Sequence, residues 1–204
     1  MSTARDVCDA GRMPNLYLTG QSAADRLLSD DPNALLIGMV LDQQVPMEKA
    51  FSGPAVIAER MGGSFDVAAI VAADPEAFVA LCSERPAIHR FPGSMAGRIQ
   101  AVCRSLVADY AGDATNLWSG VADGRELKRR IAALPGFGDA KASIFVALLG
   151  KQYGVTPAGW REAAGAFGAE GSTTSVADIV DETTLAQVRA SKKAAKAAAK
   201  GAKA

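Results

Sequence analysis

The sequence LPGFGDAKASIFVALL at residues 134–149 decides how this chain folds. It follows an amphipathic run at residues 125–133, so it predicts a tight hairpin between two helices. Gly136 and Gly138 can adopt backbone angles that are closed to other residues, and Pro135 restricts the entry to the turn. Main-chain N–H groups at the start of the second helix would then face outward, where the helix dipole favours an anion. The hairpin therefore predicts a site that holds one phosphate group.

The composition is typical of a compact folded chain. Apolar residues make up 49% of the 204 positions and charged residues 22%, which is enough to bury a sizeable core. No apolar run is long enough to cross a membrane, and the first residues lack a signal-peptide pattern. Cys8, Cys82 and Cys103 are too widely spaced for a disulfide framework or a cysteine metal site. We therefore expect a cytoplasmic protein that does not bind membranes.

The formal net charge of zero conceals two regions of opposite charge. Six basic residues and no acidic ones lie from Arg189 onward, so residues 189–204 carry +6. Residues 1–188 hold the other sixteen basic residues and all 22 acidic ones, and carry −6. The tail is rich in Ala and Lys without an apolar stripe, so we expect it to be mobile and at most transiently helical. It would either attract nucleic acid or another anionic surface, or serve as a solubilising terminus.

Helix signals recur along the chain, and no segment alternates in the manner of a strand. Asp31, Asp66 and Asp74 each stand where a helix start is expected, two of them directly before a proline. Ser94 precedes a run of apolar residues at helical spacing and is a further candidate cap. The sequence therefore predicts an all-α fold.

Three blocks of sequence together resemble one protein family. Residues 134–142 are similar to an L-P-G-x-G-x-x-x-A hairpin, MVLDQQ at 39–44 to an I-L-S-Q-Q segment, and GSMAGR at 93–98 to a G-x-S-x-x-K helix entry. The blocks have the order and separation found in the helix-hairpin-helix (HhH-GPD) DNA glycosylases, the superfamily of endonuclease III and alkyladenine glycosylases. The resemblance covers roughly residues 16–170.

This resemblance implies two helical subdomains with a central cleft that holds DNA. Residues 33–150 would form a helical barrel, inserted between the terminal segments 16–32 and 151–188, which pack together. Residues 1–15 would be a flexible N-terminus, followed by the helical fold over 16–188 and by the basic tail. Members of the family bend duplex DNA and extrude the target nucleotide, which costs on the order of a few kcal/mol and is easiest at damaged bases. The implied partner is double-stranded DNA with a damaged or extruded base, bound by a monomer.

The resemblance also implies which residues contact DNA. Gln43 or Gln44 would fill the space of the extruded nucleotide or contact a base, unless the two are an ordinary polar pair at a helix end. Lys141 is either a phosphate contact or a solvated side chain. The remaining implied contacts belong to the hairpin and to the helix entry: Pro135, Gly136, Phe137, Gly138, Ser94 and Arg98.

In the family the hairpin also holds a monovalent cation through main-chain carbonyls. By position, these carbonyls would belong to Ala132, Leu134 and Phe137. The ion would add positive charge to an otherwise acidic body. The iron–sulfur cluster of some members requires a four-cysteine array, which is absent after residue 160. No other cofactor is expected.

The catalytic positions of the family are not matched in this sequence. The catalytic Asp is expected within three positions that are occupied by Ala158, Gly159 and Trp160. The Lys of the members that form a Schiff base with the sugar would stand at Ala140. Lys141 is one residue further along the helix, about 100° away around its axis. We therefore do not expect a lyase of this kind.

Two other carboxylates could stabilise positive charge on the sugar or activate water. Asp42 replaces a Ser of the I-L-S-Q-Q segment, and Glu162 lies two residues beyond the expected positions. Each could equally be a surface acid, Asp42 at a helix end and Glu162 paired with Arg161. Trp160 and Tyr153 could stack on an unpaired base, or could anchor helices by burial.

The sequence leaves three functions open. The first is a monofunctional DNA glycosylase of base excision repair, a hydrolase that breaks the bond between a damaged base and deoxyribose. The second is a non-catalytic protein that binds DNA lesions through the same hairpin and cleft. The third is an interaction protein whose acidic body docks a partner while the tail touches nucleic acid. For the two DNA-binding functions we expect a location at the nucleoid in the cytoplasm.

Overall fold

A computed structural model describes residues 15–201 of the chain. Within this range the chain forms α-helices and three short 3-10 turns and has no strand, so the predicted all-α fold is confirmed. No described helix is long and apolar enough to cross a membrane. The helices are α1 Ser22–Asp30, α2 Pro32–Leu41, α3 Met47–Arg60, α4 Val67–Ala72, α5 Pro75–Ser83, α6 Pro92–Tyr110, α7 Gly124–Ala132, α8 Asp139–Gln152, α9 Trp160–Ala164 and α10 Glu182–Gly201.

Aspartates begin three of these helices, as the sequence predicts. Asp31, Asp66 and Asp74 each accept hydrogen bonds from two backbone N–H groups in the first turn of the helix that follows. Such bonds satisfy donors that a helix start would otherwise leave unpaired. Ser94 is not a cap, because α6 already begins at Pro92. Proline is well suited to that position, since its φ is already helical and it has no N–H to satisfy.

The core is built around α2 and α8. Every residue of α2 from 34 to 41 is buried, which explains why this helix is apolar on all sides rather than along one stripe. It packs against α1, α3 and α6, and α4 and α5 also pack on α6. The other central helix, α8, contacts α7, α9 and the 3-10 turns at Gly165–Gly168 and Val176–Asp178. Residues 42–46 therefore leave a fully buried helix and reach the surface immediately after it.

Tyr153 joins two segments that lie on either side of the predicted barrel in sequence. Its hydroxyl donates to the carbonyl oxygens of Leu28 (3.2 Å) and Ser29 (3.0 Å). The contact links residues before 33 with residues after 150, the two segments that the resemblance expects to pack together. The division of the chain at these boundaries remains a prediction, and residues 1–14 lie outside the described range.

The basic tail is continuous with the last helix. α10 runs from Glu182 to Gly201, and Leu185 and Val188 at its start are buried. These anchoring apolar residues stand just before the tail rather than within it. The expected mobility and transient helicity of residues 189–204 remain predictions, and residues 202–204 lie outside the described range.

Candidate nucleic-acid interface

The loop between α7 and α8 forms the predicted hairpin. The Phe137 N–H donates to the Leu134 carbonyl at 3.1 Å and closes the turn, in which Gly136 has a φ of 80°. Such a positive φ favours glycine. Gly138 precedes α8, and among the described residues no side chain caps the first turn of this helix. Its amides are therefore open to an anion, as the sequence predicts.

Arg98 of α6 lies against this hairpin. A Cβ atom on Gly136 would stand only 2.4 Å from Arg98 Cδ, so the glycine makes room for the arginine side chain. Arg98 Nη1 also donates to Gln43 Oε1 at 2.7 Å. The three sequence blocks of the resemblance therefore meet through one side chain, although they are far apart along the chain.

The two glutamines after α2 have different environments. Gln43 is held by the protein, because its Nε2 donates to the Val40 carbonyl at 2.7 Å and its own carbonyl lies 2.8 Å from His89 Nε2. The Phe91 N–H donates to His89 Nδ1 at 3.0 Å, so the ring proton lies on Nε2 and is donated to Gln43. Gln44 is exposed and has a φ of 57°, an uncommon conformation for a residue other than glycine. Gln44, rather than Gln43, is thus free to reach a ligand.

Lys141 points towards α2 and is not the solvated side chain that the sequence allowed. Its Nζ donates to the Val40 carbonyl at 3.0 Å. Burial lowers the pKa of Lys141 to about 8, and the nearby Asp42 carboxylate opposes this shift. Burial raises the pKa of Asp42 in turn, while Lys192 and Lys141 act in the opposite direction. The two groups are therefore partly desolvated neighbours.

We call Asp42, Gln43, Gln44, Arg98 and Lys141 the mouth cluster. It places one carboxylate, two amides and two basic groups beside the hairpin. The carboxylate is largely enclosed, since the Asp42 side chain is only 14% exposed and lies 3.9 Å from Lys192 Nζ. Perturbed pKa values in adjacent groups are typical of functional sites, although structural ion pairs produce them too.

Glu162 lies on a different part of the surface. It is exposed on α9 and lines a cavity of about 400 Å³, together with Asp139. The Asp139 carboxylate lies 2.8 Å from Lys128 Nζ. Asp139 stands two residues before Lys141, so the two side chains project about 200° apart around the axis of α8. The cavity is also lined by Arg125, Arg129, Ala132 and Ala163. The structure therefore does not bring Glu162 together with Asp42, because the two acids lie on opposite sides of α8.

Trp160 packs on α8, in agreement with the anchoring alternative that the sequence leaves open. A Cβ atom on Gly150 would stand 2.3 Å from Trp160 Cε3, so the indole packs directly on α8. The Arg161 guanidinium lies 4.5 Å from the ring centroid. Tyr153 is also engaged in packing, since its ring meets Trp118 edge-on with centroids 6.2 Å apart. These contacts agree with anchoring by burial, and the assignment of both aromatic residues to a pocket for an extruded base stays a prediction.

Ala158 and Gly159, at the expected catalytic positions before Trp160, carry no functional group in their side chains. Ala158 and Gly159 are exposed, and the Ala158 carbonyl accepts a hydrogen bond from the Gly124 N–H at 2.8 Å. Ala140, at the position of the family lysine, is exposed in the first turn of α8. No carboxylate or amine therefore replaces the missing side chains at these particular positions.

The remaining predicted contacts lie around the hairpin. Ser94 is exposed in the first turn of α6 and stands four residues before Arg98, so the two share a helix face. Leu134 supplies one of the carbonyls expected to hold a cation. It accepts one hydrogen bond and retains a second lone pair, which is compatible with binding an ion. The described residues contain no group of three His, Cys, Asp or Glu side chains that could hold a metal instead. The monovalent cation at Ala132, Leu134 and Phe137 remains a prediction.

Phe91 is a candidate contact that the sequence analysis missed. Its side chain is 45% exposed, and the Arg90 guanidinium lies 4.7 Å from its ring centroid. It stands beside His89, which holds Gln43, and directly before α6. The signal in the sequence is an aromatic residue immediately before the helix-starting Pro92, where a capping residue would be usual.

This geometry defines a helix-hairpin-helix protein whose glycine turn lies next to a polar mouth. The family model described as HhH-GPD superfamily base excision DNA repair protein matches residues 37–203. The chain therefore belongs to the HhH-GPD superfamily of base excision DNA repair proteins, as the resemblance implied, and is a DNA-associated protein. Comparison with curated proteins and with solved structures finds no match.

Proposed function

We propose that this protein is a monofunctional DNA N-glycosylase that hydrolyses the bond between a damaged base and deoxyribose in double-stranded DNA. The observation that carries this proposal is the position of Asp42. Its carboxylate is largely enclosed, lies beside the hairpin and is flanked by Lys141 and Lys192. A desolvated carboxylate with specific charged neighbours, next to a phosphate-binding turn, is a candidate catalytic group.

In the binding step, the hairpin holds one phosphate through the free amides at the start of α8. Arg98 adds a guanidinium beside the same turn, and Gln43 holds this guanidinium in place. Gln44 and Phe91 are exposed at the edge of the mouth cluster, where they can enter the space of an extruded nucleotide. Binding of this kind would be strongest at bases that are already poorly stacked or mispaired.

In the chemical step, the bond from C1′ to the base breaks and positive charge develops on the sugar. Asp42 would stabilise this charge or accept a proton from the water that attacks C1′, while the departing base takes up a proton. Asp42 must be ionised for either role. Burial raises its pKa and opposes ionisation, whereas Lys192 and Lys141 favour it. The activity should therefore decline on acidification.

A second candidate function is a non-catalytic protein that binds DNA lesions. It is favoured by the neutral residues Ala158 and Gly159 and by the packing of Trp160, which leave the family position of the catalytic carboxylate unoccupied by an acid. In this case the hairpin and the mouth cluster would recognise an abasic site or distorted duplex without cleavage. In either case the protein would act as a monomer at the nucleoid in the cytoplasm.

A base-release assay tests these proposals. Duplexes that contain alkylated, deaminated or oxidised bases are incubated with wild type, Asp42→Asn and, as a matched control, Glu162→Gln. We expect Asp42→Asn to lose about a hundredfold or more in the rate of base release and to retain binding to an abasic-site duplex. Glu162→Gln should remain active, because its side chain lies on the other side of α8.

The possible outcomes separate the two functions. Full activity of a folded Asp42→Asn protein would rule out Asp42 as the essential carboxylate. Loss of activity in Glu162→Gln alone would transfer the role to that residue. If the wild type releases no base from any duplex and still binds the abasic site, the non-catalytic function is supported. Circular dichroism of each variant shows whether it is folded.

A further inference from the structure

The first three basic residues of the C-terminal helix lie on one helical face. These are Arg189, Lys192 and Lys193, and the second and third stand three and four positions after the first. Such spacings fall on one side of an α-helix. α10 is helical over these positions, so the spacing places the three cations on one face. We call Arg189, Lys192 and Lys193 the basic stripe.

The stripe begins against the mouth cluster. Leu185 and Val188 anchor the start of α10 in the core. One turn later, Arg189 forms an ion pair with Glu48 of α3. These contacts bring the first basic residues to the corner between α2 and α3, where Asp42 lies. Packing of Leu185 and Val188 therefore sets the position of the stripe, which does not depend on electrostatic attraction alone.

Two carboxylates at this corner would otherwise repel DNA. Lys192 Nζ lies 3.9 Å from Asp42 Oδ2 and 3.6 Å from Met47 Sδ, and Arg189 pairs with Glu48. The cations remain accessible, since the Arg189 and Lys192 side chains are 57% and 42% exposed and Lys193 is exposed as well. The start of α10 therefore changes an acidic edge of the mouth into one that a phosphate can approach.

We propose that the basic stripe binds the phosphodiester backbone of DNA next to the mouth cluster, as a second phosphate-contacting element in addition to the hairpin. This inference rests on the proposed binding of DNA but not on any catalytic activity. From Arg189 to Lys193 the stripe spans about 6 Å along α10 at 1.5 Å per residue. Along one strand, this corresponds to about two phosphates at 3.4 Å of axial rise each. A polyanion thus matches both the charge of the stripe and its extent along the helix.

The charge distribution over the whole chain supports the same partner. Residues 1–188 carry −6 and residues 189–204 carry +6. The acidic body by itself would oppose binding of DNA around the hairpin, whereas the stripe supplies positive charge where α10 meets the mouth cluster. The stripe lies next to the mouth cluster and thus on the same side of the molecule as the hairpin, which favours DNA over an acidic protein as its ligand.

The test is the salt dependence of DNA binding by the full chain. The triple variant Arg189→Gln, Lys192→Gln, Lys193→Gln is compared with the wild type by fluorescence anisotropy on an abasic-site duplex over a series of salt concentrations. We expect the slope of log K against log salt to become shallower by about 0.9 for each lost phosphate contact. The affinity at low salt should fall about tenfold or more.

A matched control separates contact from net charge. The variant Arg26→Gln, Arg85→Gln, Arg104→Gln removes three exposed cations outside the mouth cluster and changes the net charge by the same amount. It should keep the wild-type slope. A chain that ends at Val188 keeps the anchors Leu185 and Val188 and removes Arg189, Lys192 and Lys193 together with the rest of the tail, so its slope should be at least as shallow as that of the triple variant.

Each outcome has a distinct meaning. If the wild type binds DNA and the triple variant of α10 keeps its slope, the stripe does not contact phosphates and this inference fails alone. If the triple variant and the control lose affinity equally, the effect is one of net charge and the inference fails as well. If the wild type binds no DNA under any condition, the proposed function itself fails. Capture of an acidic protein by α10 without any change in DNA binding would also overturn the inference.

Discussion

Arg98 Nη1 donates a hydrogen bond to Gln43 Oε1 at 2.7 Å, between residues that are 55 positions apart in sequence. The aliphatic part of the same arginine lies against Gly136 of the hairpin. One side chain therefore connects the segment after α2, the start of α6 and the glycine turn of the hairpin. For this reason we expect binding of DNA at the hairpin to be coupled to insertion of a side chain from the mouth cluster into the DNA.

The coupling between Arg98 and Gln43 can be measured by a double-mutant cycle. We expect Arg98→Ala to weaken binding to an abasic-site duplex more than Gln43→Ala, because it removes a cation as well as a hydrogen bond. The double variant should lose less than the sum of the two single losses, with an interaction free energy on the order of 0.5–3 kcal/mol. Binding constants of the four proteins give the answer, and strictly additive losses would show that the hydrogen bond does not position Arg98.

Gly136→Ala should destabilise the protein by about 1–3 kcal/mol, because the φ of 80° and the closeness of Arg98 Cδ both oppose a Cβ atom. Urea unfolding measures the change. Gly97→Ala is the matched control, because it lies within α6 and no atom stands within 4 Å of the added Cβ. That variant should be neutral or slightly more stable. Equal stability of both variants would contradict the strain assigned to the hairpin.

Phe91→Ala should weaken binding to an abasic-site or mispaired duplex about tenfold, since stacking of a base on an aromatic ring contributes roughly 1–3 kcal/mol. The melting temperature should change little, because the side chain is 45% exposed. Val107 is exposed to the same extent on the distant part of α6, so Val107→Ala tests whether loss of exposed apolar surface alone has an effect. Unchanged DNA affinity of Phe91→Ala would exclude the residue from the interface.

The lowered pKa of Lys141 predicts that both the stability of the protein and its DNA affinity depend on pH. Its pKa is about 8 in the folded protein and 10.5 without the surrounding structure. Between these values the unfolded chain binds more protons, so the free energy of unfolding should rise with pH from about 8 to about 10.5. DNA affinity should fall as the pH rises above about 8, because the ammonium of Lys141 loses its charge. Urea unfolding and DNA binding from pH 7 to 10 check both trends.

Lys141→Met should remove both trends, whereas Lys128→Met is a matched loss of one lysine from the neighbouring helix α7. If Lys141→Met keeps the wild-type dependence of stability and binding on pH, another group is responsible. The sign is informative by itself, because an ordinary surface lysine would add no rise in stability near pH 8.

Trp160→Ala should cost about 3–5 kcal/mol of stability, as expected for a large buried aromatic side chain. Gly150→Ala should also be destabilising, by about 1–3 kcal/mol, because its Cβ would meet the indole. DNA binding per folded molecule should stay unchanged in Gly150→Ala. If Trp160→Ala loses DNA binding or base release without losing stability, Trp160 belongs to the base pocket instead.

Much of the fold could be predicted from the sequence because it depends on local interactions. The aspartate caps, the proline at a helix start and the glycine turn at residue 136 act within a few positions of one another. Apolar spacing then indicates which elements are helices. The same local patterns, taken in order along the chain, also indicated the family.

The candidate site was only partly predictable, since it depends on which helix faces which. Spacing along α8 could show that Lys141 is out of line with Ala140, but not that α2 lies where its Nζ reaches the Val40 carbonyl. Nor could it show that Asp42 and Glu162 lie on opposite sides of α8.

The sequence by itself determined the helices, the hairpin and the opposite charges of body and tail, because neighbouring residues and simple composition specify them. Only the tertiary structure decided that Arg98 bridges the hairpin and Gln43, that Trp160 packs on α8, and that α10 brings its cations to Asp42. The physical reason is that these features arise from side-chain packing between segments remote in sequence. Burial and the resulting shift of pKa values exist only after that packing has formed.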